Sequence, residues 1–237
     1  MRLVSTIAAI FVAIAVPSYA QEQLKVGDSY SGNVKLGSSN GGLFLALPQG
    51  TWVLTSFEKT ISRPEVHGVV QMIRGRLIST DKQKRVVGIV QFSSGIADTG
   101  FWEKPRYCYR KDTYFLHAES GRRNQEMRCW GVHATGMGVP TATAPVHVKE
   151  FYQYVASKGI KLPQTMVVVD VHRASGVKFL NATYFRNPEL DGIRGGPPST
   201  WQKDVADQRR LQYLESTKTW AEQRQATFEA AFAGRPK

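Results

Sequence analysis

Apolar positions along this chain alternate between a period of two and a period near 3.6, and the changes fall at clusters of glycine, proline and polar residues. From Gln21 to Gly42 the sequence is polar and turn-rich, which predicts short strands joined by turns. Leu43 to Leu47 is an apolar run closed by Pro48-Gln49-Gly50, and Thr51 to Phe57 follows with β-branched and aromatic residues, so the two read as a hairpin. A second, longer hairpin is predicted from Val66 to Thr80 and Arg85 to Ser93. Its first strand alternates imperfectly. Arg74 and Arg76 fall on the parity of Val70, Met72 and Ile78, and Gly68 and Gly75 point to a bulge or a close contact.

The stretch from Gly95 to Met127 is irregular, with strand composition at Thr113 to Ala118 and again at Glu126 to Val132. Val148, Phe151, Tyr152 and Val155 recur at helical spacing after Pro145, and Lys158-Gly159 ends that helix. Met166 to Val171 reads as a buried strand that turns at Arg173 to Gly176 and returns over Val177 to Phe185. Beyond Gly195-Gly196-Pro197-Pro198, Ser199-x-x-Gln202 offers a cap, and Arg209 to Ala233 is helical with a break near Asp207. Tyr213, Leu214, Trp220, Ala221, Phe228, Ala231 and Phe232 share one face of that helix.

These elements define an α+β fold: an antiparallel sheet built from hairpins, one amphipathic helix, and a C-terminal helix after a Gly/Pro linker. The apolar stretch after Met1-Arg2, ending at Ser18-Tyr19-Ala20, has the form of a secretory signal. The chain then divides into a signal peptide (1–20), an α+β domain (21–192), a linker (193–200) and a C-terminal helical segment (201–237). The last of these either docks on its own sheet or presents Trp220, Phe228 and Phe232 to a partner or a membrane surface.

Export changes the reading of charge and cysteine. Arg2 is the only charged residue in the signal, so its removal takes Lys plus Arg from 31 to 30 against 19 Asp plus Glu, and the formal charge from +12 to +11. A basic exported protein meets lipid headgroups, lipopolysaccharide, wall polymers or acidic protein surfaces, whereas nucleic acid is a poor match to that compartment. Cys108 and Cys129 are the only cysteines, and an oxidising compartment predicts a disulfide between them. Around that bridge stand Arg106, Arg110, Lys111, Arg122, Arg123 and Arg128, interleaved with Phe101, Trp102, Tyr107, Tyr109 and Tyr114. Guanidinium forks beside aromatic plates suit phosphate, carboxylate or carbohydrate ligands.

Signals for catalysis are thin. Gly27-Asp28-Ser29-Tyr30-Ser31 resembles the nucleophile block of GDSL-type hydrolases. The resemblance implies Ser29 as nucleophile and a late Asp-x-x-His, for which Asp170-Val171-His172 is one residue short. His117, Glu119 and His133 are the nearest set to a metal site, without a zinc-binding motif, and no phosphate- or dinucleotide-binding glycine motif implies a cofactor. Leu47 to Trp52, Cys129-Trp130 and Tyr184 to Leu190 resemble segments of exported (periplasmic) proteobacterial proteins of unknown function, which implies export without an activity. The reading at this level is a periplasmic or secreted non-enzymatic protein that binds an anionic envelope component or serves as an accessory subunit. A periplasmic hydrolase using Ser29 or a His-held metal is the alternative.

Overall fold

The computed structural model describes residues 24–36, 42–62, 69–97, 102, 106–120 and 126–235. Residues 1–20, read above as a secretory signal, lie outside them, as do Gly68, Arg122 and Arg123. Ten strands follow in order: β1 Ser29–Tyr30, β2 Asn33–Leu36, β3 Leu43–Ala46, β4 Trp52–Ser62, β5 Val70–Thr80, β6 Val86–Ala97, β7 Phe115–Ser120, β8 Glu126–Gly136, β9 Thr165–Ser175 and β10 Lys178–Arg186. The helices are α1, Val146–Ser157, and α2, Gln208–Phe232.

Eight strands form one antiparallel sheet in the order β1-β4-β5-β6-β10-β9-β8-β7, and β2 and β3 pair separately. The β5/β6 and β9/β10 hairpins match the sequence reading, although β9 and β10 extend further into their turn than Arg173 to Gly176 suggested. Gly75 marks a close contact. A Cβ there would come within 2.7 Å of both the Phe92 ring and the Ser56 carbonyl oxygen, so the ring lies across bare backbone. The first predicted hairpin is corrected: β3 pairs with β2, and β4 pairs with β1 and β5. Pro48 to Gly50 carries the chain from one layer to the next, with the Trp52 indole N–H donating to the Pro48 carbonyl at 2.9 Å.

Strand periodicity gives the sheet two faces. Leu77, Val90, Val167, Val169, Leu180 and Tyr184 point to one face, where α2 and the β2–β3 ribbon cover them through Tyr213, Leu214, Phe228, Leu45 and Leu36. Ile78, Ile89 and Met166 point to the other, under Phe151 and Val155 of α1. Further along that second face a smaller cluster forms from Met127, Ala174 and Phe179, against which Trp102 packs.

Residues 193–200 do not behave as a free linker. Thr165 Oγ1 donates to the Gly196 carbonyl at 2.5 Å, the buried Trp201 indole donates to the Gly195 carbonyl at 2.6 Å, and Pro198–Trp201 forms a 3-10 turn. Helix α2 is capped not from Ser199 but by Asp207, whose carboxylate accepts from the Arg210 backbone N–H at 2.9 Å. At its far end Glu229 meets Arg128 of β8 at 3.1 Å and Arg173 of β9 at 3.2 Å.

Candidate functional site

Cross-strand register turns the α1 side of the sheet into rows that can be read across six strands. One row runs Val53, Ile78, Ile89, Phe185, Val168 and His133, lying mostly under α1. The next two rows are polar. They run Ser56, Arg76, Gln91, Thr183, Asp170 and Gly131, then Glu58, Arg74, Ser93, Asn181, His172 and Cys129. The row beyond, with Met72, Gly95, Phe179, Ala174 and Met127, is apolar again. A double polar row between two apolar ones, on a sheet face that is half covered, is the feature of this fold that core packing does not account for.

Most groups in the double row are tied together. Arg76 donates from Nε and Nη2 to Gln91 Oε1 at 2.9 and 2.6 Å and lies 4.9 Å from the Phe151 ring centre. Asn181 Nδ2 donates to Ser93 Oγ at 3.1 Å, and its side-chain oxygen pairs with His172 Nδ1. Thr183 Oγ1 donates to Asp170 Oδ1 at 2.7 Å, while His133 Nε2 sits 3.1 Å from Asp170 Oδ2. Glu58 is engaged by His147 of α1 at 3.0 Å.

Burial dominates the electrostatics at the Asp170 end. It pushes the Asp170 carboxyl up to about 6, against the opposing effects of the Thr183 hydrogen bond and the Arg110 charge. It also holds His133 down to about 4, helped by Arg110, and His172 down to about 4 against the Asn181 hydrogen bond. At neutral pH His133 is therefore a neutral imidazole that donates from Nε2 to the Asp170 carboxylate. Its Nδ1 is buried without a hydrogen-bond partner among the described residues. Arg110 is itself clamped by Asp112 at 2.7 and 2.8 Å, and that contact holds the Asp112 carboxyl down to about 2.

The arginine end differs. Among the described residues no carboxylate forms an ion pair with Arg74 or Arg76. Burial lowers the pKa of Arg76 from its usual value, yet an arginine stays charged. These two cations escaped the sequence reading as site residues. Their signal was the broken alternation of β5, with two arginines on an otherwise apolar parity.

Of the basic lobe expected around the disulfide, Arg110 and Arg128 fall on opposite sides of the sheet. The Cys108–Cys129 bond is present, with Cα atoms 5.9 Å apart, and joins the short turn Arg106–Tyr109 to β8. Arg110 lies near Asp170 and His133 on the α1 side, whereas Arg128 faces α2 and pairs with Glu229, at 3.1 Å. Lys111 is exposed and makes no described ion pair, and the Arg106, Arg122 and Arg123 side chains lie outside the described residues. Phe228 and Phe232 belong to the chain's own core, so they are not presented to a partner. Trp220 is half-buried, edge-on to Tyr184 at 5.7 Å, between the guanidiniums of Arg186 and Arg224 at 5.6 and 5.3 Å.

Neither catalytic constellation assembles. Ser29 is exposed on β1, and four strands separate it from β9, which at about 4.8 Å per strand puts it roughly 24 Å from His172. His117 and Glu119 pair with each other at 2.8 Å. His117 stands opposite Trp130 and so shares the α2 face, whereas His133 points to the α1 face. Among the described residues no group of three or more His, Cys, Asp and Glu side chains could hold a metal. No helix among them is long and apolar enough to cross a membrane. No protein-family model, curated protein or solved structure matches this chain.

Proposed function

We propose that this chain is an exported, non-enzymatic binding protein that takes an anionic glycan or glycolipid headgroup of the cell envelope on the double polar row. The observation that carries the reading is the pair Arg74 and Arg76. They stand one register row apart on a half-buried sheet face, without a carboxylate partner among the described residues, while their acidic neighbours Glu58 and Asp170 are already held by His147 and His133. A cation withdrawn from water without a counter-charge is costly, and an anionic ligand offsets that cost. Gln91, Ser93, Asn181 and Thr183 continue the rows with amide and hydroxyl groups, which suit the hydroxyls of a sugar. The buried disulfide and the net basic charge are in keeping with an exported protein facing an anionic envelope.

Relative to the sequence reading, the cations move from the disulfide lobe to β5. The accessory-subunit reading loses two of its three aromatic anchors to the core. The test is a titration of the purified chain with lipopolysaccharide, run beside Arg74→Gln, Arg76→Gln and an Arg128→Gln control. Each β5 variant should weaken binding by about tenfold or more, the worth of one charge-assisted hydrogen bond, and the control should not. Equal affinity in all four proteins would remove the β5 arginines from the site.

A further inference from the structure

On the opposite, α2 side of the sheet a depression of about 310 Å³ opens between the end of β10, the 3-10 turn Pro188–Asp191 and the first turns of α2. It is lined by Arg186, Asp191, Arg209, Gln212, Tyr213 and Ser216. Its volume is at the lower end of the range that small-molecule sites occupy.

Arg186 is fixed in place before any ligand arrives. Its Nη1 donates to Thr217 Oγ1 at 3.0 Å, and its guanidinium lies 5.3 Å from the Tyr213 ring centre and 5.6 Å from that of Trp220. Those three α2 residues are spaced by four and three positions, so one stripe of the helix holds the guanidinium. The described contacts use one of its five N–H donors. Arg209 reaches the same depression from the first turn of α2, with Nη2 donating to the Gly192 carbonyl at 3.3 Å. Among the described residues neither arginine forms an ion pair.

Asp191 gives the site its selectivity. Tyr213 lines the depression beside it, and because burial pushes that phenol up to about 12, against Arg186 and with the charge of Asp191, the hydroxyl stays protonated and can donate. A carboxylate has acceptor capacity for more than one such donor. It repels a bare dianion but accepts from a ligand hydroxyl next to an anionic group. The two guanidiniums come from different elements, so they do not make one fork for a planar carboxylate. They suit a tetrahedral group whose oxygens point in several directions.

We propose that this depression is a second ligand site, for a phosphorylated hydroxy compound of the sugar-phosphate class. Arg186 and Arg209 hold the phosphate oxygens, and Asp191 accepts the neighbouring hydroxyl. The site is independent of Arg74 and Arg76, which lie on the other face of the sheet. Free sugar phosphate and the phosphorylated sugar headgroup of a lipid present the same chemistry.

Calorimetric titration of the full chain tests it with glucose 6-phosphate, inorganic phosphate, glucose, and vesicles with and without phosphatidylinositol phosphate. Glucose 6-phosphate should bind about tenfold or more tightly than either phosphate or glucose. Arg209→Gln, an exposed position whose change spares the fold, should weaken it by about tenfold, Arg186→Met should do the same, and Arg76→Gln should leave it unchanged. Binding confined to the phosphoinositide vesicles, and lost in Arg209→Gln, would support the site with a lipid as the source. Failure of both free and vesicle-borne ligand to bind, equal affinity for glucose, indifference to Arg209→Gln, or loss in Arg76→Gln would each overturn it.

Discussion

Asp170, His133 and His172 share the α1 side of the sheet, and burial moves each toward its neutral form. Their effects on stability oppose one another. For the histidines the folded pKa, about 4, lies below the ordinary 6.5, so the stability they contribute is present above 6.5 and is lost as pH falls toward 4. For Asp170 the folded pKa, about 6, lies above the ordinary 3.8, so its contribution is present below 3.8 and is lost as pH rises through 6. Between about pH 4 and pH 6 the unfolded chain thus binds two more protons at the histidines and one fewer at Asp170. These three groups make stability rise with pH by about 1.4 kcal/mol per unit. In Asp170→Asn the opposing proton is gone and their slope should double. Urea unfolding of both proteins across this range measures it, and parallel slopes would mean that Asp170 titrates normally in the fold. Residue-scale legibility was uneven. A lone Asp in the apolar run Met166 to Val171 was visible in sequence, but its partner His133 comes from another strand, and no local pattern predicts that juxtaposition.

Among the elements, the turn Arg106–Tyr109 has few described links to the rest of the fold, and the disulfide from Cys108 to Cys129 is the covalent one. Both sulfurs are buried, and the bond closes a loop across 21 positions, over which the chain-entropy account gives about 3 kcal/mol. Replacing both cysteines by alanine should lower unfolding free energy by roughly that amount in denaturant titration. It should also release Arg110 from its place near Asp170 and His133, so amide exchange should quicken at Arg110 and Asp112 before it does in β5. A double variant as stable as the parent would make the bridge incidental. The elements best read from sequence were those whose pattern is closed locally. The β5/β6 and β9/β10 hairpins have their turns between them, and α1 carries its stripe and its stop signal within a few turns. The error at β3 has the opposite origin: Pro48-Gln49-Gly50 is a turn in either case, and whether it joins partners in one sheet or passes between layers depends on β2 and α2.

At the scale of the molecule, the decisive question is whether α2 belongs to the core or hangs from it. A Gly-Gly-Pro-Pro sequence reads as a flexible joint because its backbone preferences are local, but a buried hydrogen bond at Gly195, a half-buried one at Gly196 and the burial of Trp201 fix the path it takes. Helix α2 then lays Leu214, Ala221, Phe228 and Phe232 over Val169, Val171 and Leu180, and the Glu229 contacts with Arg128 and Arg173 hold its last turns in place. Side chains of this size each contribute about 1.5–3 kcal/mol when buried, so removing the helix exposes more apolar surface than a domain of ordinary stability can lose. A chain ending at Ala206 should therefore be insoluble or bind a hydrophobic dye strongly. Phe228→Ala in the full chain should cost about 3–5 kcal/mol, as for other buried aromatic deletions, and the half-buried Trp220 should cost less when replaced by alanine. A tethered, partner-seeking helix predicts the reverse order: a soluble and cooperatively folding truncation, little cost at Phe228, and an effect at Trp220 only when a partner is supplied. The same experiment bears on the depression at Arg186, which α2 half encloses. A truncated chain that folds should keep the affinity of the Arg74 and Arg76 face for lipopolysaccharide while losing glucose 6-phosphate, because only the second site takes its walls from the helix.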